Sequence, residues 1–346
     1  MRIKKSHSYL LLTLLVILAV IAGYFLYNSL SAGFVWKKIA PIPVVQNFKY
    51  ISQLTGRGVN DETLVLPRVV AVMVDNHPAA RPQTGLEQAS VVYEAPVEGG
   101  ITRFLAIYPA AQEISMVGPV RSARPYYLDW LHEYGDPLYL HCGGSATALD
   151  LLKQGGVFDL NEFYNGPYFW REPGQTAPHN LYTGSVKWND YLANNSAGHE
   201  ANVWSGWKFG GVNVTSIEPA QLWSLKGLAN ETIGWSYDGA SGRYQKLLAG
   251  QPVKQASGEM IWADNVIVQI AEIKVLDEVG RREIKTIGTG EARIFRDGQM
   301  IRGTWKKNNP VDRTRFYDAQ NTEINLKPGQ TWLEIAPKSA TVEILK

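Results

Sequence analysis

Residues 69 to 74, Val-Val-Ala-Val-Met-Val, form an unbroken apolar run ending at Asp75. The run has neither the alternation of a half-exposed strand nor the three-to-four spacing of a surface helix. Four β-branched valines in six positions favour a strand. A strand that is apolar on both sides must be covered on both, which calls for a layered fold.

The following segments supply the layers. "SVVYEAP" and "TRFLAIYP" read as two further strands and "PLYLHC" as a fourth. "TGLEQA" carries a capping box, Thr84 with Glu87 three residues later. One helix is expected after Ser122, a good N-cap residue, with Pro125 in the first turn and "YYLDWLHEY" behind it. Another is expected over "SATALDLLKQG", ending at Gly155. Strands and helices interleaved in this way indicate an α/β layer from about 67 to 160.

Between Phe163 and Phe209 the chain places 11 aromatic residues in 47 positions, against 11% for the whole sequence. In a weakly periodic, Gly- and Asn-rich stretch these rings either pin long loops onto a core or line a groove for sugar rings. From about 212 the pattern is all β. There are turn signals at Asp238-Gly239, Ser241-Gly242, Asp297-Gly298 and Pro328-Gly329, which suit a small barrel or sandwich.

Ahead of all this stands "MRIKKSHSYLLLTLLVILAVIAGYFLYNSL", with Arg2, Lys4 and Lys5 before an uncharged apolar stretch from Tyr9 to Tyr27. As a helix that stretch spans roughly 30 Å of hydrocarbon. The basic end stays inside, so the bulk of the chain is expected outside the cytoplasm, held by a single-pass helix in the cell membrane. Lys37 and Lys38 weaken the charge asymmetry without reversing it. A cleaved signal peptide is the competing reading; its apolar core is usually about 7–15 residues, and "SLSAGF" is a poor cleavage site. The resulting division is a cytoplasmic tip and anchor over 1–30, a linker over 31–66, an α/β domain over 67–211 and a β-rich domain over 212–346.

With 346 residues, 45% of them hydrophobic, the chain has room for two cores. Its formal net charge of +2 and the lack of a Lys/Arg run exclude an ordinary nucleic-acid binder. Cys142 is the sole cysteine, so no intrachain disulfide forms; at the end of an apolar run it reads as a small hydrophobe.

Two arginines carry the sharpest chemical signal. Arg121 and Arg124 stand at a presumed helix start, where free N–H groups and guanidinium groups together suit phosphate or carboxylate. They would equally brace the domain by pairing with Glu94, Glu98 or Asp129. A strand–Gly143-Gly144–Ser145–helix turn is a second place for backbone N–H groups to approach a ligand, although it is no Walker loop. Acid–base candidates gather at presumed strand ends: Asp75, His77, Glu94, Glu98, His141 and His179. A pair such as Glu94 and Glu98 would supply general acid and base. Asp75, His77, His141 and His179 are the residues a metal site would draw on, but they lack a short ligand-spacing motif, and no metal and no cofactor is expected.

Read together, "VMVDN", "ARPQTGL", "VVYE", "VEGGITRF", "GPVRSARPYY", "HCGGS" and "PHNLY" resemble the YerB-like family of bacterial envelope proteins, lipoprotein candidates with a domain of unknown function. "GTWKK", "RFYD" and "LKPGQTWLEI" resemble the family's separate C-terminal domain. The resemblance implies an extracytoplasmic two-part protein and no established activity. It singles out Asp75, Asn76, Arg81, Pro82, Glu94, Glu98, Gly99, Gly100, Thr102, Arg103, Arg121, Ser122, Arg124, His141, Gly143, Gly144, Ser145, His179 and Asn180. Lipid-anchored members carry a cysteine after the signal core; this chain has none there, so its attachment must differ.

Two functions of different class follow. One is a membrane-anchored module in which Arg103, Arg121, Arg124 and the two helix starts, with His141 and Asn180 nearby, grip an anionic or glycan envelope component while the β domain meets an envelope protein partner. The other is an extracytoplasmic hydrolase or transferase acting on envelope polymers, with Glu94 or Glu98 as acid or base and His179 and Asp75 as further candidates.

Overall fold

The computed structural model describes residues 16–24, 48–199 and 204–345. Residues 16–24 are helical with exposed side chains, and the rest of the Tyr9–Tyr27 span lies outside the described residues, as does the linker between 31 and 47. Among the described residues no helix is long and apolar enough to cross a membrane. Phe48–Lys346 is one compact unit.

The valine-rich run is a strand, β1 (Val69–Asp75), and every residue in it is buried. It pairs antiparallel with β3 (Thr102–Pro109), which pairs antiparallel with β2 (Val91–Pro96). On its other side β1 runs parallel to β4 (Leu138–His141), and β4 parallel to β5 (Phe158–Asn161). The alternation of β1 explains its composition. Val70, Val72 and Val74 join one core with Trp188, Trp223 and Trp235; Val69, Ala71 and Met73 join the opposite core with Tyr126, Tyr127 and Trp130. Each face of the strand therefore has its own cover.

Helix α1 (Pro125–Leu131) and helix α2 (Ala146–Lys153) contribute to the second of these cores, and helix α3 (Ser185–Asn195) to the first. The other cover of the first core is a six-stranded sheet holding β6 (Leu222–Lys226), β7 (Ile233–Asp238), β8 (Arg243–Leu248) and the last strand, Thr341–Leu345. Trp223 stacks on Phe295 at 3.9 Å and Trp235 meets Trp332 edge-on at 5.5 Å, so this sheet lies face to face with the central one.

The C-terminal region is mostly β, as expected, yet it forms no closed barrel. Strands β9 (Asn265–Ala271), β10 (Gly288–Arg296), β11 (Gln299–Lys307) and β12 (Thr331–Pro337) extend the central sheet to 11 strands. The join is parallel, with Thr331 opposite Val91 and Glu334 opposite Glu94. A barrel needs two edges to meet; here one edge of the C-terminal strands is already bonded to β2. Residue 212 therefore separates two stretches of chain that share a sheet.

Three local expectations are corrected. Thr84 caps no helix: Gly85 has a left-handed φ of 89°, and only a short turn, Leu86–Gln88, follows. Ser122 is not the N-cap either. The residue before a proline is pushed to extended backbone, so Arg124 is extended (φ −133°, ψ 150°) and α1 begins at Pro125. Residues 48–66 pack against the body, with Leu54 2% exposed and Arg57 3.1 Å from Asp264. Ser145 does cap α2, accepting from the Ala148 N–H at 3.3 Å.

Candidate functional site

Because β1, β4 and β5 are parallel, their carboxyl ends gather at one edge of the sheet: Asp75, then His141 to Gly143, then Asn161 and Glu162. The segment from Val117 to Arg124 threads through this edge. Arg121 N–H donates to the Met73 carbonyl at 2.9 Å, the Arg121 carbonyl accepts from Cys142 N–H at 3.1 Å, and Ala123 N–H donates to the Gly143 carbonyl at 2.9 Å. The arginine-bearing stretch is thus an extended strip stitched between β1 and the Gly-Gly turn.

Asp75 is the centre of the edge. It is 1% exposed; Oδ1 accepts from the His77 N–H at 3.0 Å, and Oδ2 lies 2.8 Å from His179 Nδ1 and 3.3 Å from Arg121 Nε. Arg103 is its cross-strand neighbour. Burial pushes the Asp75 carboxyl up, but Arg103, the His77 N–H, His179 and Arg121 outweigh it and hold it below the usual carboxylate range. An ionised Asp75 accepts a hydrogen bond from His179 Nδ1–H; in a neutral ring that tautomer leaves the lone pair on Nε2. The His179 ring lies flat on His77, centroids 4.6 Å apart. His77 Nδ1 accepts the Ala79 N–H at 3.1 Å, which puts the ring proton of a neutral His77 on Nε2.

Arg121 Nε lies 3.3 Å from Asp75; among the described residues neither of its terminal nitrogens has a hydrogen-bond partner, and its side chain is 28% exposed. Arg124 differs. It holds Glu98 in a forked pair, Nε to Oε1 at 2.8 Å and Nη2 to Oε2 at 2.7 Å, and its Nη1 donates to the Ala123 carbonyl. Burial raises the Glu98 carboxyl and the Arg124 bonds outweigh that, holding it low. The two arginines, three apart in sequence, therefore do different things: one braces, the other is available. Arg103 is buried, donates to the Ser122 carbonyl at 2.8 Å and leaves its Nε without a partner.

The remaining candidates are structural in their contacts. Glu94, 1% exposed, accepts from Thr102 Oγ1 at 2.7 Å, Lys246 Nζ at 2.7 Å and Trp332 Nε1 at 3.1 Å. Fully buried His141 donates Nδ1–H to the Gly143 carbonyl at 2.7 Å, and its Nε2 lies 2.6 Å from Asp159 Oδ1. Asn180 ties down its own loop through Arg171 and the Gln175 carbonyl. The N–H groups of Gly143 and Ser145 are occupied by Asn161 Oδ1 and the Ala123 carbonyl, so the Gly-Gly turn offers fewer free amides than its sequence suggests. Cys142 is half-buried and donates to Glu162; burial and Glu162 push its thiol up to about 11.

Most of the aromatic-rich segment packs: Phe169, Tyr182, Trp188, Trp204 and Trp207 are buried. Two rings do not. Phe163 is 65% and Tyr164 81% exposed, on the turn after β5. The Phe163 ring lies over Gly143, where an added Cβ would stand 2.9 Å from it. Sequence reasoning missed both rings as a separate surface, because nothing in their spacing distinguishes them from the nine others.

The fold and this edge define a mixed α/β and β protein with a polar strand-end surface. The chain belongs to the family described as protein of unknown function DUF3048: residues 54–198 match its N-terminal domain and 224–333 its C-terminal domain. It is similar to the YerB protein of Bacillus subtilis strain 168, whose name marks it as a lipoprotein candidate, at 31% identity over 297 residues, 81% of this chain and 84% of that one. The crystal structure of YerB from Bacillus subtilis superposes with a TM-score of 0.73 at 30% identity, covering 85% of this chain and 99% of that one.

Proposed function

We propose that the protein is a membrane-anchored extracytoplasmic module that binds an acidic glycan of the cell envelope across the carboxyl ends of β1, β4 and β5. The observation that carries this reading is the Phe163 ring, seated on a glycine and left 65% exposed on the same sheet edge as the partly exposed guanidinium of Arg121, whose terminal nitrogens have no protein partner among the described residues. A glycan offers both partners, a sugar face for the ring and an anionic substituent for the guanidinium. An extended polymer also suits an edge that is a surface rather than a pit.

Retention of the full chain on purified cell-wall material tests this. Arg121→Ala and Phe163→Ala are each expected to lower retention at least tenfold while the circular dichroism stays unchanged, and rising salt to weaken the wild type. Undiminished retention in both variants sinks the reading. A periplasmic-type reporter fused at the C-terminus tests the orientation.

The Asp75–His179 pair supports a second reading, a hydrolase or transferase in which His179 Nε2 takes a proton. The role passes there from Glu94 and Glu98, whose carboxylates are held by Lys246 and Arg124. Release of soluble fragments from wall polymer, lost in His179→Gln, is the expected result; no release by the wild type removes this reading.

A further inference from the structure

A cavity of about 260 Å³ lies between the start of α1 and α2 and a hairpin in which Ile273–Val275 pairs with Arg282–Ile284. Three guanidinium groups reach its wall. Arg124 is engaged by Glu98, and Arg281 by Asp277 at 2.5 Å. Arg282 differs: among the described residues its side chain has no ion pair and no hydrogen bond, and its Nε is buried without an acceptor. A guanidinium at a cavity wall with no carboxylate or carbonyl partner is an available donor for an anion.

The rest of the wall limits what the acceptor is. Asp129 takes the Thr286 hydroxyl and Glu283 lies 3.7 Å from Lys274, so both remain acidic neighbours that disfavour a doubly charged head. Leu151, Leu276 and Ile284 give an apolar side. We propose that this cavity is a ligand site separate from the strand-end surface, and that it takes a singly charged carboxylate with a short apolar tail. The carboxylate accepts from the terminal nitrogens of Arg282, which have no partner among the described residues, and the tail lies along Leu151, Leu276 and Ile284.

Isothermal titration of the full chain in nanodiscs, corrected for empty nanodiscs, tests this with acetate, hexanoate and hexanol. Hexanoate carries four more carbons than acetate, and burying about half of them corresponds to roughly tenfold tighter binding. Hexanoate is therefore expected to bind about tenfold more tightly than acetate, with hexanol weaker than hexanoate. Arg282→Gln is expected to weaken hexanoate at least tenfold, and Arg121→Ala to leave it unchanged. Leu276 is 59% exposed, so Leu276→Asn keeps the fold while narrowing the hexanoate-to-acetate ratio. The proposal is overturned if the wild type binds no hexanoate, if Arg282→Gln binds it as well, or if Leu276→Asn leaves the ratio intact.

Discussion

Glu94 and Glu334 face the same ammonium: Lys246 Nζ lies 2.7 Å from Glu94 Oε2 and 2.8 Å from Glu334 Oε1, with all three side chains at most 3% exposed. Two buried carboxylates and one cation leave a charge unbalanced. Burial and Glu94 push the Glu334 carboxyl up to about 8, against the opposing pull of Lys246, so Glu334 carries a proton at neutral pH. Its Oε2, which has no partner among the described residues, is the atom free to hold that proton. Burial pulls Lys246 down, while Glu334 and Glu94 outweigh it and hold it above the ordinary lysine range.

Stability should therefore fall as pH rises toward 8. An unfolded glutamate loses its proton near 4.5 and folded Glu334 near 8, so between those values the folded state binds more protons. The slope is at most about 1.4 kcal/mol per pH unit. His132, whose pKa burial lowers from 6.5, acts in the opposite direction but only below that value. Urea midpoints measured from pH 6.5 to 8.5 are expected to decline in the wild type and to stay level in Glu334→Gln. A level wild-type profile would falsify the shared-ammonium account.

Removing the cation is a harsher test. Lys246→Met leaves the Glu94 carboxylate buried without a cation, beside protonated Glu334 and beside Trp235 and Trp332, whose rings lie 4.7 and 4.5 Å from the ammonium. Losing one member of a buried ionic group costs about 3–5 kcal/mol. Urea unfolding at neutral pH is expected to show a loss of that size, partly recovered when Glu94→Gln is added, since Glu94 is the carboxylate left without its cation. Simple additivity of the two changes would mean that the groups are not coupled.

The Lys246 site was readable in principle. Tyr244 and Lys246 occupy alternate positions of β8 and are both buried, so a lysine sits where the strand's period requires an apolar residue. The β1 run and the hairpins β7–β8 and β10–β11, with their turns at Asp238-Gly239 to Gly242 and Asp297-Gly298, were legible because their signals are local. The parallel union of β2 with β12 was not, since Val91 and Thr331 lie 240 positions apart in the chain and no periodicity encodes the pairing. The Ser122 cap was misread although the reason stood beside it: Pro125 forbids a helical Arg124. Asp75, His179 and Arg121 were each singled out, but their convergence depends on parallel strands ending together. Arg282 carried no signal, because an unpaired guanidinium is defined by what fails to reach it.

Cys142 offers a chemical check on the strand-end edge. With burial and Glu162 pushing its thiol up to about 11 from the ordinary value of 9.0, it should form roughly a hundredfold less thiolate than a free cysteine at the same pH. Alkylation by iodoacetamide at pH 8 is expected to be about a hundredfold slower in the folded protein than in urea. Glu162→Gln should speed the folded reaction, since Glu162 both accepts the thiol proton at 3.3 Å and repels the thiolate. Equal rates folded and unfolded would remove Glu162 from this role.

Gly143 links the fold of this edge to its proposed use. Its φ of +61° belongs to the left-handed region, and a Cβ there would also stand 2.9 Å from the Phe163 ring. Gly143→Ala therefore carries two costs: about 1–2 kcal/mol of backbone strain and displacement of the ring. A double-mutant cycle separates them. In a Phe163→Ala background the steric part disappears, so Gly143→Ala should destabilise less there than in the wild type, with the backbone cost remaining. Gly143→Asn tolerates the left-handed φ better but keeps the clash, so it should be milder than alanine in stability yet equally damaging to retention on cell-wall material. If the cost of Gly143→Ala is the same with and without Phe163, the ring is not seated on the glycine, and the platform read from that contact falls with it.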